Sequence, residues 1–144
     1  MSNIDNTVSF QIKNAPIEAV WQMRRDVMYP AETIDFVKLK DDSEGEHLGL
    51  YIADELVSII SIFIKGDDLQ FRKFAVKVEM QGKGYGTKLL QHIMQIAVDK
   101  KCRTIWCNAR TSALGLYKKF GMEQSGEIWQ QYGIDFVKMV KQLN

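Results

Sequence analysis

The sequence has little of the residues that cross-link a chain, break it or give it a strong charge. Two cysteines and two prolines occur in 144 residues, and two thiols outside any Cys/His cluster exclude a disulfide framework and a zinc site. Charge of one sign is also missing, because 19 Lys and Arg residues face 18 Asp and Glu residues. The resulting net charge of +1 argues against a nucleic-acid-binding protein. We therefore expect neither a metal ion nor a nucleic-acid partner.

Long apolar runs and targeting signals are missing too. The longest apolar stretch, residues 56–64, is interrupted by Ser58 and Ser61 and is far shorter than the roughly 20 residues that cross a bilayer. The first residues lack the basic and apolar regions of a signal peptide. Together with the two free thiols, these absences lead us to expect a cytoplasmic protein without a membrane partner.

What the chain does contain is the composition of a globular protein, with 46% hydrophobic and 26% charged residues. Its length suits one domain, which we expect over residues 1–144. Helical spacing predicts helices at 16–29, 31–39 and 84–100, and Thr111 and Ser112 are expected to cap a short fourth helix. Alternating and apolar runs predict an α+β protein, with a meander at 47–53, 56–65 and 69–78 and further strands at 8–13, 104–109, 122–131 and 135–140.

The most informative motif is a glycine-rich turn between a predicted strand and a predicted helix. Its sequence is Gln81-Gly82-Lys83-Gly84-Tyr85-Gly86-Thr87. Glycines permit positive φ and close approach of a ligand to the backbone. The N–H groups and dipole at a helix start attract anionic oxygens, and Lys83 and Lys88 add positive charge. The turn therefore predicts a cradle for a phosphate or pyrophosphate.

Two familiar phosphate motifs do not match this turn. Its Gly-x-Gly-x-Gly spacing lacks the third glycine of the dinucleotide fingerprint, and no acidic strand end follows about 20 residues later. A Walker A loop requires Gly-Lys-Ser/Thr, whereas the order here is Gly86-Thr87-Lys88. An ordinary strand–helix turn that is rich in glycine is the remaining alternative.

The chain resembles the GNAT acetyltransferases over two motifs. Residues 74–86 resemble motif A, an apolar-Ala-Val strand end and an acid-containing turn followed by Gln/Arg-x-x-Gly-x-Gly/Ala. Residues 108–122 resemble motif B, whose Tyr-x-x-Phe/Leu-Gly-Phe signature falls at 117–122. Ser58 replaces a glycine usual in one subgroup, and Met122 replaces the usual aromatic residue. The resemblance implies a GNAT-like fold: a mostly antiparallel, twisted sheet of about six to seven strands, a parallel pair splayed at the cofactor groove, and about four helices.

The resemblance implies direct acetyl transfer from acetyl-CoA to an amine. The backbone of residues 74–76 would pair with the pantetheine arm, and the N–H groups of residues 82–87 would hold the pyrophosphate. An N–H near Val76 would stabilise the oxyanion of the tetrahedral intermediate. Asn108, on the strand face that carries Trp106 and opposite the face of Ile105 and Cys107, would bind pantetheine or the acceptor. The implied cofactor-binding residues are Phe74, Ala75, Val76, Gln81, Gly82, Lys83, Gly84, Tyr85, Gly86, Thr87 and Asn108.

Two residues are candidates for proton transfer. Tyr117 matches the motif B tyrosine and would protonate the thiolate leaving group, because a phenol is protonated at neutral pH. Packing on an apolar helix face is its alternative role. His47 is a candidate general base, since histidine as a residue type titrates near neutrality. A structural role for His47, the turn carboxylate of Glu79, and a water relay without an essential base are the alternatives.

Other residues bear on the acceptor and on thiol chemistry. Arg24 and Arg25 lie on the first predicted helix, in a region that resembles the acceptor half of one subgroup. One of them is expected to bind a substrate carboxylate, and a solvated helix face is the alternative. Cys107 is expected to be a small buried hydrophobe. Cys102, between two basic residues, is expected to be the more reactive thiol, although neither cysteine has a partner base.

Three functions are compatible with these residues: an N-acetyltransferase of a small amine or amino acid, a protein or peptide N-acetyltransferase, and a non-catalytic acyl-CoA-binding module. The first is favoured, and a homodimer is possible. Residues 72–88 hold five basic residues and one acid, whereas residues 1–60 hold 11 acids and five bases. The near-neutral total thus combines a basic cradle with an acidic N-terminal half, whose field would attract a cationic amine.

Overall fold

The computed structural model describes residues 9–143. In chain order, the first half contains β1 (Gln11–Asn14), α1 (Ile17–Met23), a π-helical turn (Arg24–Met28), α2 (Ile34–Val37), β2 (Glu46–Ile52), β3 (Glu55–Lys65) and β4 (Asp68–Val76). The second half contains α3 (Tyr85–Asp99), β5 (Thr104–Arg110), α4 (Leu114–Lys119), β6 (Glu123–Gln131) and β7 (Ile134–Gln142). Short 3-10 turns are Asp42–Glu44, Val78–Met80 and Thr111–Ala113.

Seven strands form one mixed sheet in the order β1-β2-β3-β4-β5-β7-β6. The pairs β1–β2, β5–β7 and β6–β7 are antiparallel, whereas β4 and β5 are parallel. The parallel ladder covers three residue pairs, from Asp68 and Thr104 to Gln70 and Trp106, and each strand continues beyond it. With the four α-helices, this sheet confirms the predicted α+β, GNAT-like fold.

Tight turns join two pairs of successive strands in the sheet. Ala53 and Asp54 join β2 to β3 with φ values of 48° and 69°, and Tyr132 and Gly133 join β6 to β7 with φ values of 54° and 74°. Two successive residues with positive φ match the twist of paired strands, so they form two-residue hairpin turns. The three-strand meander is confirmed at β2, β3 and β4, which are neighbours in the sheet.

The chain groups into two compact units. The first runs to Ser61 and also includes Lys73–Leu90. Its core contains Ala15, the α1 residues Val20 and Met23, and the sheet residues Ile59 and Ala75. The second unit comprises Ile62–Arg72 and Gln91–Asn144. Its fully buried side chains include Leu69, Ile93, Ile105, Val137 and Met139.

The N-terminal helices differ from the prediction. The first predicted helix is α-helical only to Met23 and continues as the π-helical turn. The second is shorter than predicted and forms the four-residue α2. Thr33 sets its start by accepting a hydrogen bond from the Phe36 N–H. The predicted Thr111 and Ser112 caps are wrong, since these residues form a 3-10 turn and give α4 no side-chain cap.

Two further findings concern the part of the chain between residues 9 and 143. The first strand begins at Gln11, and residue 8 of the predicted strand lies outside the described residues. None of the helices described is long and apolar enough to cross a membrane.

Candidate active site

The glycine-rich turn forms an open, positively charged start to α3. Gly82 and Gly84 have φ values of 77° and 88°, and nothing lies within 4 Å of a Cβ built at either. Lys83 and Lys88 are exposed beside them. The first turn of a helix presents N–H groups without intrahelical acceptors, together with the positive end of the helix dipole. The open backbone and the two ammonium groups therefore fit a pyrophosphate.

Gly86 packs the start of α3 directly against β4. A Cβ at this position would lie 2.8 Å from Phe74 Cζ and 3.1 Å from Val76 Cγ2. A larger residue would therefore displace either the Phe74 ring and the Val76 side chain or the start of the helix. The structure therefore brings the cradle together with the strand residues expected to bind pantetheine.

The end of β4 is held by two side chains that donate to its carbonyl groups. Ser58 Oγ donates to Ala75 O at 2.8 Å and is fully buried. Gln81 Nε2 donates to Val76 O at 3.0 Å. Gln81 was predicted to bind the cofactor, and here its side chain closes the turn between β4 and α3. Ser58 was not predicted as a site residue, although a hydroxyl within an apolar run was a usable signal.

Tyr117 lies on α4 with its side chain almost wholly inside the second unit. It is 7% exposed, and its ring is tilted against Phe71 with centroids 5.7 Å apart. Burial, and then the nearby Cys107 thiol, raise the pKa of Tyr117 well above 10. The phenol therefore stays protonated over the whole neutral range, which is the state that a general acid requires.

The strand β5 alternates as the sequence predicts. Ile105 and Cys107 are buried, whereas Trp106 is half-buried and Asn108 is exposed. Burial raises the pKa of Cys107 to about 12, so it behaves as a small hydrophobe. The expectation of a reactive Cys102 is wrong, because this thiol is 3% exposed and burial raises its pKa.

Arg24 and Asp42 form a buried ion pair. Arg24 Nη1 and Nη2 each lie 2.9 Å from a different carboxylate oxygen of Asp42, and Arg24 is fully buried. Trp21 Nε1 and the Leu39 N–H donate to Asp42 Oδ2 at 3.0 and 2.9 Å, and Arg24 Nη1 also donates to Val37 O. Burial disfavours the charged carboxylate, but these donors lower the pKa of Asp42 to about 2.

His47 belongs to the same network, with both ring nitrogens engaged. Nε2 lies 2.9 Å from Asp42 O, and Nδ1 lies 2.7 Å from Ser61 Oγ. A carbonyl oxygen can only accept, so Nε2 donates to Asp42 O, while Nδ1 is hydrogen-bonded to the Ser61 hydroxyl. Ser61 Oγ in turn accepts from Arg24 Nη2 at 3.0 Å. His47 therefore presents neither nitrogen to an acceptor amine in this arrangement.

The two arginines of the first helix do not bind a substrate carboxylate in this arrangement. Arg24 does not lie on a solvated face: it is fully buried and its Nη1 and Nη2 are already bonded to Asp42, so its guanidinium does not reach a substrate carboxylate. Arg25 is half-exposed and pairs with Asp26 at 2.9 Å, in keeping with the solvated face. Asp42 lies in a segment rich in acidic residues, 41–46, and it is buried because it partners Arg24.

The predicted site residues fall into three groups. The cradle, residues 74–76 and Gln81 meet at the β4–α3 connection of the first unit. Arg24 and His47 share the buried network of that unit. Tyr117 and Asn108 belong to the second unit. Within residues 9–143, no group of three or more His, Cys, Asp or Glu side chains is placed to hold a metal ion.

Known families provide a match to most of the chain. The Acetyltransferase (GNAT) domain family model matches residues 25–143. The uncharacterized N-acetyltransferase YitI of Bacillus subtilis (strain 168) is 28% identical over 133 residues, covering 86% of this chain and 89% of that protein.

Solved structures share the fold at low identity. The ribosomal-protein-S18-alanine N-acetyltransferase from Escherichia coli superposes with a TM-score of 0.79 at 15% identity, covering 94% of both chains. A Bacillus subtilis acetyltransferase in complex with CoA gives a TM-score of 0.73 at 20% identity, covering 96% of this chain and 100% of that chain. These likenesses are to the fold.

Proposed function

The chain belongs to the GNAT acetyltransferase family, and from that premise we propose that it moves an acetyl group from acetyl-CoA directly to the primary amine of a small molecule or amino acid. The observation that carries this proposal is the open glycine cradle at the start of α3, which Gly86 packs against the end of β4. A CoA-bound structural neighbour supports the same donor.

Acetyl-CoA is the cosubstrate, and it supplies an acetyl group activated as a thioester. In our proposal, the N–H groups of residues 82–87 and the ammonium groups of Lys83 and Lys88 bind the pyrophosphate. The backbone of residues 74–76 binds the pantetheine arm as an added strand would. Gln81 and Ser58 keep that segment in place through the carbonyl groups of Val76 and Ala75.

Tyr117 acts in this proposal as the general acid for the thiolate. The match of Tyr117 to the motif B tyrosine supports the role, because a phenol is protonated at neutral pH and is able to donate a proton when the leaving group gains charge. An Asn108 side chain on the exposed face of β5 would bind pantetheine or the acceptor.

Deprotonation of the acceptor amine is assigned to water rather than to His47. Both ring nitrogens of His47 are within hydrogen-bond distance of chain atoms, so its role is to hold the network around Asp42. Glu79 is exposed in the turn that follows β4 and remains a second route for the proton.

The experiment that tests this function is CoA-thiol release against a library of amines. We expect acetyl-CoA to bind and the thiol to be released only with particular small amines or amino acids. Binding without release across the library would favour an acyl-CoA-binding module, and release with peptides alone would favour a protein N-acetyltransferase. Failure to bind acetyl-CoA would contradict the proposal as a whole.

The surroundings of the enzyme are also part of the proposal. We assign it to the cytoplasm, in keeping with its two free thiols. We also propose a homodimer, because β6 is a sheet edge of nine exposed residues on which the large apolar side chains of Ile128 and Trp129 lie open.

A further inference from the structure

Lys73 adopts a backbone conformation that favours glycine within strand β4. Its φ is +56°, in the left-handed region that side chains rarely tolerate. Such outliers persist where surrounding contacts hold them, and they cluster at binding and catalytic sites. Lys73 is also the residue directly before the segment proposed to bind pantetheine. Its side chain is therefore a candidate for a role in the reaction.

The ammonium group of Lys73 lies against the Tyr29 ring, which in turn packs on Phe36. Nζ is 3.4 Å from Tyr29 Oη and 5.0 Å from the centroid of the Tyr29 ring. Tyr29 packs edge-on against Phe36, with centroids 5.2 Å apart. Lys73 and Tyr29 are half-buried, and Phe36 is 37% exposed. We call these three residues the Lys73 patch.

The Lys73 patch has chemical capacity for an anion. An ammonium group has three N–H donors, and the Tyr29 hydroxyl oxygen accepts one of them. Hydrogen bonds from an ammonium to a carboxylate are charge-assisted and stronger than neutral ones. The two rings beside it offer an apolar surface to the rest of a small ligand. The patch thus combines one cation with an apolar wall.

The Lys73 patch and the glycine cradle lie on opposite faces of the β4 end. Phe74 and Val76 face the start of α3, where both would contact a Cβ at Gly86. Ala75 packs on the other face, in the core cluster formed with α1. Lys73 shares that second face, since its ammonium contacts Tyr29, the residue after the π-helical turn. The Lys73 side chain therefore lies on the face of β4 that the cradle does not occupy, and it is half-buried, so part of its surface stays accessible to a ligand.

We propose that the Lys73 patch binds a carboxylate of the acceptor, so the acceptor is an amino acid rather than an amine without an acidic group. This inference rests on the proposed function. Lys73 takes the part that the sequence analysis gave to Arg24 or Arg25, which are paired with Asp42 and Asp26 instead. The buried Arg24–Asp42 pair and its partners hold the π-helical turn from which Tyr29 extends. The role of Lys73 is therefore to determine acceptor specificity, and it takes no proton in the reaction.

The test compares free amino acids with their carboxamides, which lack the carboxylate. Thiol release is measured for wild type and Lys73→Met. This substitution keeps a long, unbranched side chain and removes its charge. We expect KM for the free acids to rise about tenfold or more in Lys73→Met, with kcat nearly unchanged, which corresponds to the loss of a charged hydrogen bond. KM for the carboxamides is expected to stay the same. The ratio of the mutant KM to the wild-type KM is compared for each acceptor, so the different amine basicity of acids and carboxamides cancels.

Two controls separate this role from a structural one. Lys101 is a second lysine with positive φ, at 59°, in the exposed turn after α3, so Lys101→Met should leave both acceptor classes unaffected. Lys73→Arg keeps the positive charge, so it should preserve the preference for acids that Lys73→Met loses. Acetyl-CoA affinity, measured by calorimetry, should be equal in all these variants.

A binding measurement makes the inference independent of turnover. N-acetyl amino acids, the expected products, and their carboxamides are titrated into wild type and Lys73→Met in the presence of CoA. Tighter binding of the product acids to wild type, lost in Lys73→Met, supports the assignment. Equal binding of acids and amides overturns it even if the enzyme acetylates amines, whereas the absence of acetyl-CoA binding contradicts the proposed function instead.

Discussion

At the scale of single residues, Asp42 shows how partners decide what a charged side chain does. Its carboxylate accepts hydrogen bonds from Arg24, Trp21 and the Leu39 N–H, and it is 8% exposed. A buried ion pair adds little net stability, but removing one partner leaves an uncompensated charge. The pair therefore matters most for the geometry of the segment between α1 and β2.

Asp42→Asn is expected to destabilise the fold by about 3–5 kcal/mol, because it leaves the buried Arg24 guanidinium without its counter-charge. Urea unfolding would measure this as a lower midpoint. The matched control is Asp26→Asn, which removes an exposed pair with Arg25 and should cost at most about 1 kcal/mol.

The pH dependence of the same pair has a definite sign. The pKa of Asp42 is about 2 in the folded state against 3.8 for the ordinary group. A lowered pKa stabilises the fold above the unfolded value, and that contribution, about 2 kcal/mol, is lost as the pH falls from about 4 to 2. The stability difference between wild type and Asp42→Asn should shrink over this interval. A constant difference would contradict the assignment.

Tyr117→Phe is expected to lower kcat by about 100-fold or more, since general acid catalysis typically contributes 10²–10⁴-fold. Because burial raises the pKa of Tyr117 above 10, kcat of the wild type should not fall on the alkaline side up to about pH 10. Thiol release as a function of pH measures both effects. Tyr132→Phe, which alters a tyrosine that is 67% exposed, should behave as wild type. An unchanged kcat in Tyr117→Phe would remove the general-acid assignment.

The burial of a single residue was predictable from sequence only where a periodic pattern of apolar residues shows which side chains face the core. Strand alternation placed Cys107 inside and Asn108 outside. Arg24 was unpredictable, because helical spacing does not reveal a partner 18 positions away. Lys73 was missed for a similar reason, since neither its positive φ nor its contact with Tyr29, 44 positions away, leaves a local pattern.

At the scale of elements, the connection between β4 and α3 carries most of the proposed donor site. Gly86 allows the two elements to touch, and Gly82 and Gly84 supply the positive φ values of the turn. The helix provides N–H groups and a dipole, and the strand provides a backbone edge. Changes at Gly86 should therefore alter donor binding before they alter the fold.

Gly86→Ala is expected to weaken acetyl-CoA binding, because a Cβ would lie 2.8 Å from Phe74 Cζ. The loss of one or two hydrogen bonds to the cofactor corresponds to an affinity about tenfold lower. Calorimetric titration with acetyl-CoA measures the change. Gly115→Ala in α4 is the matched control, because nothing lies within 4 Å of a Cβ there. That control should bind as wild type and gain roughly 0.5–1 kcal/mol of helix stability. Equal affinities in both variants would argue against the cradle.

Element boundaries followed the strength of the sequence signal. The long amphipathic helix α3 and the strands of the meander were predictable, because repeated apolar periodicity and turn residues act together. The N-terminal region was less so: Thr33 ends the coil before α2, and the π-helical turn accommodates the buried Arg24. Those features depend on tertiary contacts rather than on local propensity.

At the scale of the whole molecule, charge and sheet edges define the outer surfaces. The chain is close to neutral, with a basic segment at residues 72–88 and an acidic first 60 residues. The strand β6 lies at one end of the sheet order, and its nine residues are all exposed. Ile128 and Trp129 are 54% and 38% exposed on it.

The homodimer proposal predicts that Ile128→Lys shifts the protein from dimer to monomer. A lysine on an edge strand opposes pairing with a second strand. Sedimentation velocity at micromolar concentration measures the two species. Val98→Lys, at a residue of α3 that is 55% exposed, should leave the dimer intact. A wild type that sediments as a monomer at these concentrations would contradict the dimer.

The central claim, direct acetyl transfer by this chain, is tested most directly by measuring both products of one reaction. The protein is incubated with acetyl-CoA and an amino acid, and free CoA and N-acetyl amino acid are quantified by mass spectrometry over time. We expect the two to appear in equal amounts, neither to form without the acceptor, and both to fall together in Tyr117→Phe. CoA release without an N-acetylated product, or no reaction although acetyl-CoA binds, would contradict it.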